Sequence, residues 1–304
     1  MVNMFDMNNL MIRCFFSSAV KPTSKNPDYD LWKYLVFDNM YMSITKDMTV
    51  NELVVAVDHS VSWRRLFWDR YKEHRKKQRS KIDIDWTSLF EQMDSFLLEI
   101  KESIPFKVLK IKNAEADDII AIICKKRNNI YNIISTDEDY LQLSSNNVKI
   151  YNPLKKKYVK CKDPKMFVIE KCLTGQSKDG IFNVLTPIDY PNNKRKPPFG
   201  ESKLKKVLNE GYENWLFDNN LEERFKFNRV LMDFDYIPDV ISKRILLEYD
   251  NYRMPDPSYL YDFFYKNKFM KYLENFSNVE NRLLDLYMME DSNEKWKINN
   301  GKDK

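Results

Sequence analysis

A chain of 304 residues, 43% hydrophobic and 14% aromatic, holds enough apolar material for one large domain or two intimately packed ones. Its 31% charged residues, mean hydropathy of -0.61 and lack of any apolar run near the roughly 18 residues of a membrane span exclude a membrane-spanning chain. Two histidines, four cysteines without C-x-x-C spacing and no signal-peptide start argue against a histidine zinc site, a disulfide scaffold and secretion, while a net charge of +5 fits a polyanionic ligand.

In chain order, residues 2–5 form a short apolar run that closes at Asp6, and 9–20 reads as a helix. A second helical pattern, rich in aromatics, spans 28–42. Residues 53–57 are continuously apolar, as in a buried parallel strand, and end at Asp58. The stretch 63–81 is strongly basic, and 86–100 is an amphipathic helix. Then come a strand at 106–111, a helix at 114–126, a strand at 130–135, a short helix at 139–143, and strands at 148–151 and 157–160. Beyond about Asp163 the pattern is helical, with a loop at 187–198. Alternating strands and helices predict an α/β fold: a central, mostly parallel, twisted sheet flanked by helices, with a basic helical arch and a mainly helical C-terminal domain. The expected division is an α/β core at 1–162 with the arch at about 63–85, a helical nucleic-acid-binding domain at 163–277, and a flexible tail at 278–304.

Asp6, Asp58 and Asp137 each close an apolar run. In open α/β sheets the ligand crevice lies outside the carboxyl ends of the strands, so these acids converge on one edge. Glu115 and Asp118 share a helix face at i, i+3, with Asp117 beside them, and Asp139 follows Asp137. Taken singly, such acids can serve a helix dipole, and Thr136 with Asp139 resembles a capping box. Taken together, crowded carboxylates on a basic chain point to oxygen-ligated Mg²⁺ or Mn²⁺. Two such ions about 4 Å apart clamp an in-line phosphoryl displacement.

Nine Lys or Arg residues lie between Trp63 and Lys81, among them Arg64, Arg65, Lys72 and Arg75. Trp63, Phe67, Trp68 and Tyr71 are interleaved, a mixture suited to phosphate contacts and base stacking. The bland reading is a solvated charged helix face. The chain has only five glycines, and Gly175, Gly180 and Gly200 fall in one segment, where backbone geometry is expected to demand them. Neither a G-x-x-x-x-G-K-[ST] nor a G-x-G-x-x-G motif is present, which excludes a P-loop and a dinucleotide fold of that type.

These residues, in this order, resemble the 5′-nuclease (flap endonuclease) family from about Asp6 to about Asp262. Asp6 to Leu10 with Arg13 is similar to the family's first strand–helix motif. Val55 to Asp58, Trp63-Arg64-Arg65 and Tyr71 to Arg75 resemble the second aspartate and the arch. Glu115 to Asp118 and Asp137 to Leu143 match its two most specific motifs, and Asp233 to Asp239 looks like a run of the phage branch.

The resemblance implies a Mg²⁺-dependent 5′→3′ exonuclease and flap endonuclease acting on DNA and RNA–DNA duplexes. Such an enzyme removes RNA primers during phage lagging-strand replication. One metal site would draw on Asp6, Asp58, Glu115, Asp117, Asp137 and Asp139, with Asp118 adjacent, and a second would lie near Asp139 and Asp179, Mn²⁺ substituting for Mg²⁺. Lys72 and Arg65 would contact the scissile phosphate. Arg13, Arg64, Arg75, Gly200, Ser202 and Lys203 would hold nucleic acid, the last three in a phosphate cradle of a helix-three-turn-helix element. A sliding clamp and a single-stranded DNA-binding protein are the implied partners of a monomer in the cytoplasm of an infected cell. The family's Gly-Asp-x-x-Asp reads Gly175-Gln176-Ser177-Lys178-Asp179 here, and one missing carboxylate implies a weaker second ion. The rivals are a toprim-type nuclease, whose Glu closes a strand, and a structure-specific DNA-binding protein with a weakened metal site.

Overall fold

Strand β2 (Glu52–Val57) shows why an unbroken apolar run was needed. Leu53, Val55 and Val57 enter one core, while Val54 and Ala56 enter another on the opposite face. The structure is a computed structural model describing residues 1–17, 20, 27–191 and 194–300, of which 289–300 are described by backbone alone. The expected helix at 9–20 and loop at 187–198 therefore each extend partly onto residues outside that description.

Among the described residues the sheet has strands β1 (Val2–Asp6), β2, β3 (Lys107–Lys110), β4 (Tyr131–Ile134), β5 (Val148–Asn152) and β6 (Lys157–Val159), in the order β3-β2-β1-β4-β5-β6. All neighbours pair in parallel except β5 with β6. The expected α/β class is correct. Strand β1 lies between β2 and β4, so the order reverses there, and the crevice of such a sheet opens beyond its carboxyl end. The register is pinned by a buried amide pair: Asn132 Nδ2 donates to Asn3 Oδ1 at 3.0 Å, and Asn3 Nδ2 donates to the Ser43 carbonyl at 3.0 Å.

The helices of the first half are α1 (Met7–Phe15), α2 (Tyr29–Thr45), α3 (Trp63–Phe67), α4 (His74–Arg79), α5 (Trp86–Ser103) and α6 (Ala116–Lys126). The basic stretch is thus two short helices and a turn. Those of the second half are α7 (Pro164–Thr174), α8 (Glu201–Glu210), α9 (Tyr212–Asp218), α10 (Glu222–Met232), α11 (Asp239–Asp250), α12 (Leu260–Lys266), α13 (Met270–Glu274) and α14 (Phe276–Asn300).

Three apolar cores tie the halves together. Helices α7 to α10 form one, with Cys172, Leu173, Val207, Leu216 and Phe225, and take in Trp68 and Tyr71 from the basic stretch. Helix α11 packs Ile241 and Ile245 into the core of α6. Helices α12 to α14 pack Phe263, Phe264, Phe269 and Tyr272 against Phe37 of α2 and Phe96 of α5. Where a flexible tail was expected from 278, α14 continues. Val279, Leu283 and Leu286 recur at helical spacing and are buried, and Arg282 Nη2 donates to the carbonyls of Ile44 (2.8 Å) and Val50 (2.7 Å). Among the described residues no helix is long and apolar enough to cross a membrane.

Candidate metal and nucleic-acid site

Three strand ends deliver the first acids. Asp6 caps α1, its Oδ1 accepting from the Asn9 backbone N–H at 3.0 Å and its Oδ2 from the Tyr140 hydroxyl at 3.2 Å. Asp58, just past β2, accepts from the Ala116 N–H at 2.8 Å, which fastens the β2 end to the start of α6. Asp137 follows β4 and caps the 3₁₀ turn Glu138–Leu143 by accepting from the Asp139 N–H at 3.0 Å. Glu115 stands at the N-cap of α6, with Asp117 and Asp118 in its first turn.

Crowding and burial perturb these carboxyls in different directions. Burial, then the nearby Asp58, pushes Asp6 up to about 7. Burial, then Glu115, raises Asp58. Burial raises Asp117 well above the usual range, Asp118 and Glu115 adding to it against Arg64. Burial would also raise Glu115, but Lys72 and Arg64 overcome it and hold that carboxyl at about 2. Burial and Asp137 raise Asp139, whereas Lys178 outweighs burial and lowers Asp137.

The cations sort themselves by depth. Arg64 is only 1% exposed: its Nη1 lies 3.0 Å from Glu115 Oε2, 2.8 Å from Asp118 Oδ1 and 3.7 Å from Asp117 Oδ1, and its Nε donates to the Leu231 carbonyl at 2.8 Å. Expected among the nucleic-acid contacts, it has no surface to offer a phosphate and instead compensates buried carboxylates. Trp63, Trp68 and Tyr71 are likewise buried rather than free to stack on bases, whereas Phe67 is half exposed. Trp63 Nε1 and the Glu115 N–H both donate to Asp118 Oδ2, at 3.0 and 2.9 Å, so Asp118 sits in the foundation of the site.

Lys72 occupies the turn between α3 and α4 at φ 56°, with Nζ 2.5 Å from Glu115 Oε1 and 3.9 Å from Asp179 Oδ1. Arg75 Nη2 is 2.6 Å from Asp179 Oδ1. Lys178 Nζ bridges Asp137 Oδ1 and Asp139 Oδ2, at 2.9 Å from the latter. Arg65 is exposed and donates to the Tyr71 carbonyl at 3.1 Å.

Two clefts border the acids. One of about 660 Å³ is lined by Asp58, Glu115, Arg65, Lys72, Arg75 and Lys76; the other, about 520 Å³, by Asn9, Thr136, Asp137, Gln176 and Lys178. The structure therefore gathers Asp6, Asp58, Glu115, Asp117, Asp118, Asp137, Asp139 and Asp179 at one sheet edge, with Lys72 and Arg75. Other expected contacts have surroundings of their own. Arg13, in the last turn of α1, donates to Asn39 Oδ1 at 3.3 Å. Gly200 caps α8, with Ser202 and Lys203 exposed beside it and Lys203 Nζ 5.7 Å from the Trp215 ring centroid.

The glycine expectation holds for two positions of the segment. Gly175 (φ 76°) has no room for a Cβ, which would fall 2.4 Å from the Phe182 carbonyl carbon, and Gly180 (φ 77°) is also left-handed. Gly200 has an ordinary backbone (φ -84°), and a Cβ there would meet nothing within 4 Å, so the fold itself does not require glycine. Sequence reasoning also missed Tyr140 and Lys178 as parts of the site. Lys178 was adjacent to a named aspartate, which is the signal that could have found it.

The donor set fits hard divalent cations. Carboxylate oxygens of Glu115, Asp117 and Asp118 lie within 4.8 Å of one another, and Asp117 Oδ1 is buried without a hydrogen-bond donor. Among the described residues the eight carboxylates outnumber the four cations, Arg64, Lys72, Arg75 and Lys178, that pair with them. Glu115 opens α6 instead of closing a strand, which separates this site from a toprim arrangement.

Comparison with known proteins finds two family models along the chain. Residues 1–172 match the family model of the 5′-3′ exonuclease N-terminal resolvase-like domain, and residues 162–279 match that of the T4 RNase H C-terminal region. The chain is 31% identical over 260 residues to the Ribonuclease H of Enterobacteria phage T4, covering 81% of this chain and 85% of that protein. It is 27% identical over 150 residues to a 5′-3′ exonuclease of Buchnera aphidicola subsp. Schizaphis graminum (strain Sg), covering 45% and 50%. A solved structure of the T5 5′-exonuclease with divalent zinc ions bound shares the fold at a TM-score of 0.58 and 19% identity, covering 81% of this chain and 98% of that one.

Proposed function

Because the chain belongs to the 5′-3′ exonuclease family, and is by that membership a metal-dependent nuclease, we propose that it is a Mg²⁺-dependent 5′→3′ exonuclease and flap endonuclease. Its substrates are phosphodiesters of DNA and RNA–DNA duplexes bearing 5′ ends or flaps, and its products carry 5′-phosphate and 3′-hydroxyl ends. The gathering of Asp6, Asp58, Glu115, Asp117 and Asp137 beside the basic cleft carries this reading. The ribonuclease name of the phage relative supports RNA-primer removal during phage lagging-strand replication, in the cytoplasm of the infected host. The monomer would work with a sliding clamp and a single-stranded DNA-binding protein.

In this reading Asp6, Asp58, Glu115, Asp117 and Asp137 hold one Mg²⁺ or Mn²⁺, and Asp139 and Asp179 serve a second. Divalent cations bound there would acidify an attacking water and offset charge on the scissile phosphate and leaving oxygen. Lys72 and Arg65, both lining the larger cleft, add fixed positive charge where the phosphate's charge grows. Arg64 and Asp118 hold Glu115 in place from behind. Arg13, Arg75 and the Gly200–Ser202–Lys203 corner position the duplex by phosphate contacts.

A 5′-labelled primer–template tests the proposal. Labelled short products should appear with Mg²⁺ or Mn²⁺ and vanish in EDTA. Asp137→Asn should lower cleavage at least about a hundredfold while sparing duplex binding. Undiminished cleavage in EDTA, or a fully active Asp137→Asn, overturns the site assignment. Binding without cleavage at millimolar Mg²⁺ and Mn²⁺ favours a non-catalytic DNA-binding protein.

A further inference from the structure

The acids at the sheet edge form two halves that the chain treats differently. Among the described residues, Asp6 and Asp58 form no ion pair: Asp6 accepts from a backbone N–H and a tyrosine hydroxyl, Asp58 from a backbone N–H. Asp117 Oδ1 has no hydrogen bond at all and lies 3.7 Å from Arg64. Among the described residues no ammonium pairs directly with these three acids; Lys72, paired to Glu115 at 2.5 Å, acts on Asp58 and Asp117 only from farther off.

The other half is already filled by the chain's own donors. Lys178 Nζ bridges Asp137 and Asp139, 2.9 Å from Asp139 Oδ2. Gln176 Nε2 donates to Asp139 Oδ2 at 2.7 Å and also to Asp179 Oδ2. Arg75 takes the other oxygen of Asp179 at 2.6 Å. The amide is held firmly: Gln176 is buried, its N–H donates to the Ile181 carbonyl at 2.7 Å, and its carbonyl accepts from the Ile181 N–H at 3.0 Å. Its backbone follows a glycine whose φ of 76° and crowded surroundings admit no side chain.

We propose that Lys178, oriented beside Gln176, is a built-in counter-charge at the second cation position. The resting chain holds one divalent ion tightly, because Asp6, Asp58 and Asp117, three of its five acids, have no ammonium paired to them, while Glu115 is paired to Lys72 and Asp137 to Lys178. It takes a second only by displacing the Lys178 ammonium from Asp139, the acid of the second position that Lys178 holds at 2.9 Å. This rests on the metal-dependent reading above and deepens it. A missing carboxylate at position 176 would by itself only weaken the second site. An amide donating to Asp139 and Asp179, with an ammonium at the same Asp139 oxygen, sets a threshold of free cation for its occupancy. The physical cause is direct: an ammonium this close neutralises the carboxylates and repels an incoming dication in a partly desolvated crevice. Lys178 is a positioning and gating residue in this account, since it touches metal-binding acids and not the reacting phosphate.

Counting bound Mn²⁺ by electron paramagnetic resonance, on the full chain without nucleic acid, tests this. The wild type should bind one Mn²⁺ tightly and a second at least about tenfold more weakly. Lys178→Met and Gln176→Glu should each tighten the second ion by about fivefold or more, and by more than they change the first, which shares only Asp137 with Lys178. Lys178→Arg, which keeps the charge, should behave as the wild type. Two equally tight ions in the wild type overturn the proposal, as does an unchanged second ion in both Lys178→Met and Gln176→Glu. If two equally tight ions accompany Mg²⁺-dependent cleavage, the nuclease reading stands and only this inference falls. No Mn²⁺ binding in any variant overturns both.

Discussion

Helices α3 and α4 are consecutive, similarly basic and a turn apart, yet they have opposite fates. Helix α3 sends Trp63 and Arg64 inward, where Arg64 meets Glu115 and Asp118 and stacks 4.6 Å from the Trp63 ring centroid. Helix α4 buries no residue; Lys76 and Lys77 are exposed, and Arg79 lies over the rings of Trp86 and Phe90 at the edge of α5. The density of Lys and Arg is therefore a poor guide to what each does. A cation opposite unsatisfied acids becomes part of the interior, and one opposite water remains available to a polyanion.

The largest effect should come from cutting the inner half. Arg64→Ala leaves Glu115 and Asp118 buried without their guanidinium and should cost about 3–5 kcal/mol of stability. Urea unfolding in EDTA measures it, and a loss below about 1 kcal/mol would erase the distinction between the helices. The next effect is acid sensitivity. Lys72 and Arg64, acting against burial, hold the folded Glu115 carboxyl at about 2, below its ordinary 4.5. Its stabilisation is thus present above about pH 4.5 and lost as pH falls from there toward about 2. Melting temperatures of the EDTA-treated chain should fall across that window, and a flat profile there would contradict the assigned anchor. The smallest effect belongs to the outer half. Lys76→Gln with Lys77→Gln should change stability by less than about 0.5 kcal/mol per site. Duplex binding should weaken, and its logarithmic salt slope should shrink by about one for each phosphate no longer neutralised, as read by fluorescence anisotropy.

The same contrast explains what could be read from the letters. Strands β1, β2 and β4 were legible because they are buried on both faces and mainly apolar, broken in β1 and β4 only by Asn3 and Asn132, and end in or just before Asp6, Asp58 and, three residues on, Asp137. Their convergence followed from sheet handedness and order alone. Arg64 was not legible as an interior residue, since its partners Glu115 and Asp118 stand more than fifty positions away. Helix α14 was obscured by its polar composition, although Val279, Leu283 and Leu286 carried a helical period. Gln176 was visible as a departure, but its two carboxylate partners and the ammonium beside it appear only in three dimensions.

The left-handed turn at Lys72 joins distant parts of the chain. The Lys72 N–H donates to the Asp179 carbonyl at 3.0 Å, Arg75 Nε to the Lys178 carbonyl at 3.3 Å, and a Cβ on Gly180 would press within 3.2 Å of His74 Nδ1. Residues 63–79 and 175–182 are consequently one cassette despite their separation in sequence. A chimera that exchanges either segment alone between relatives would pair a mismatched backbone at this seam, so the natural unit of grafting here is discontinuous.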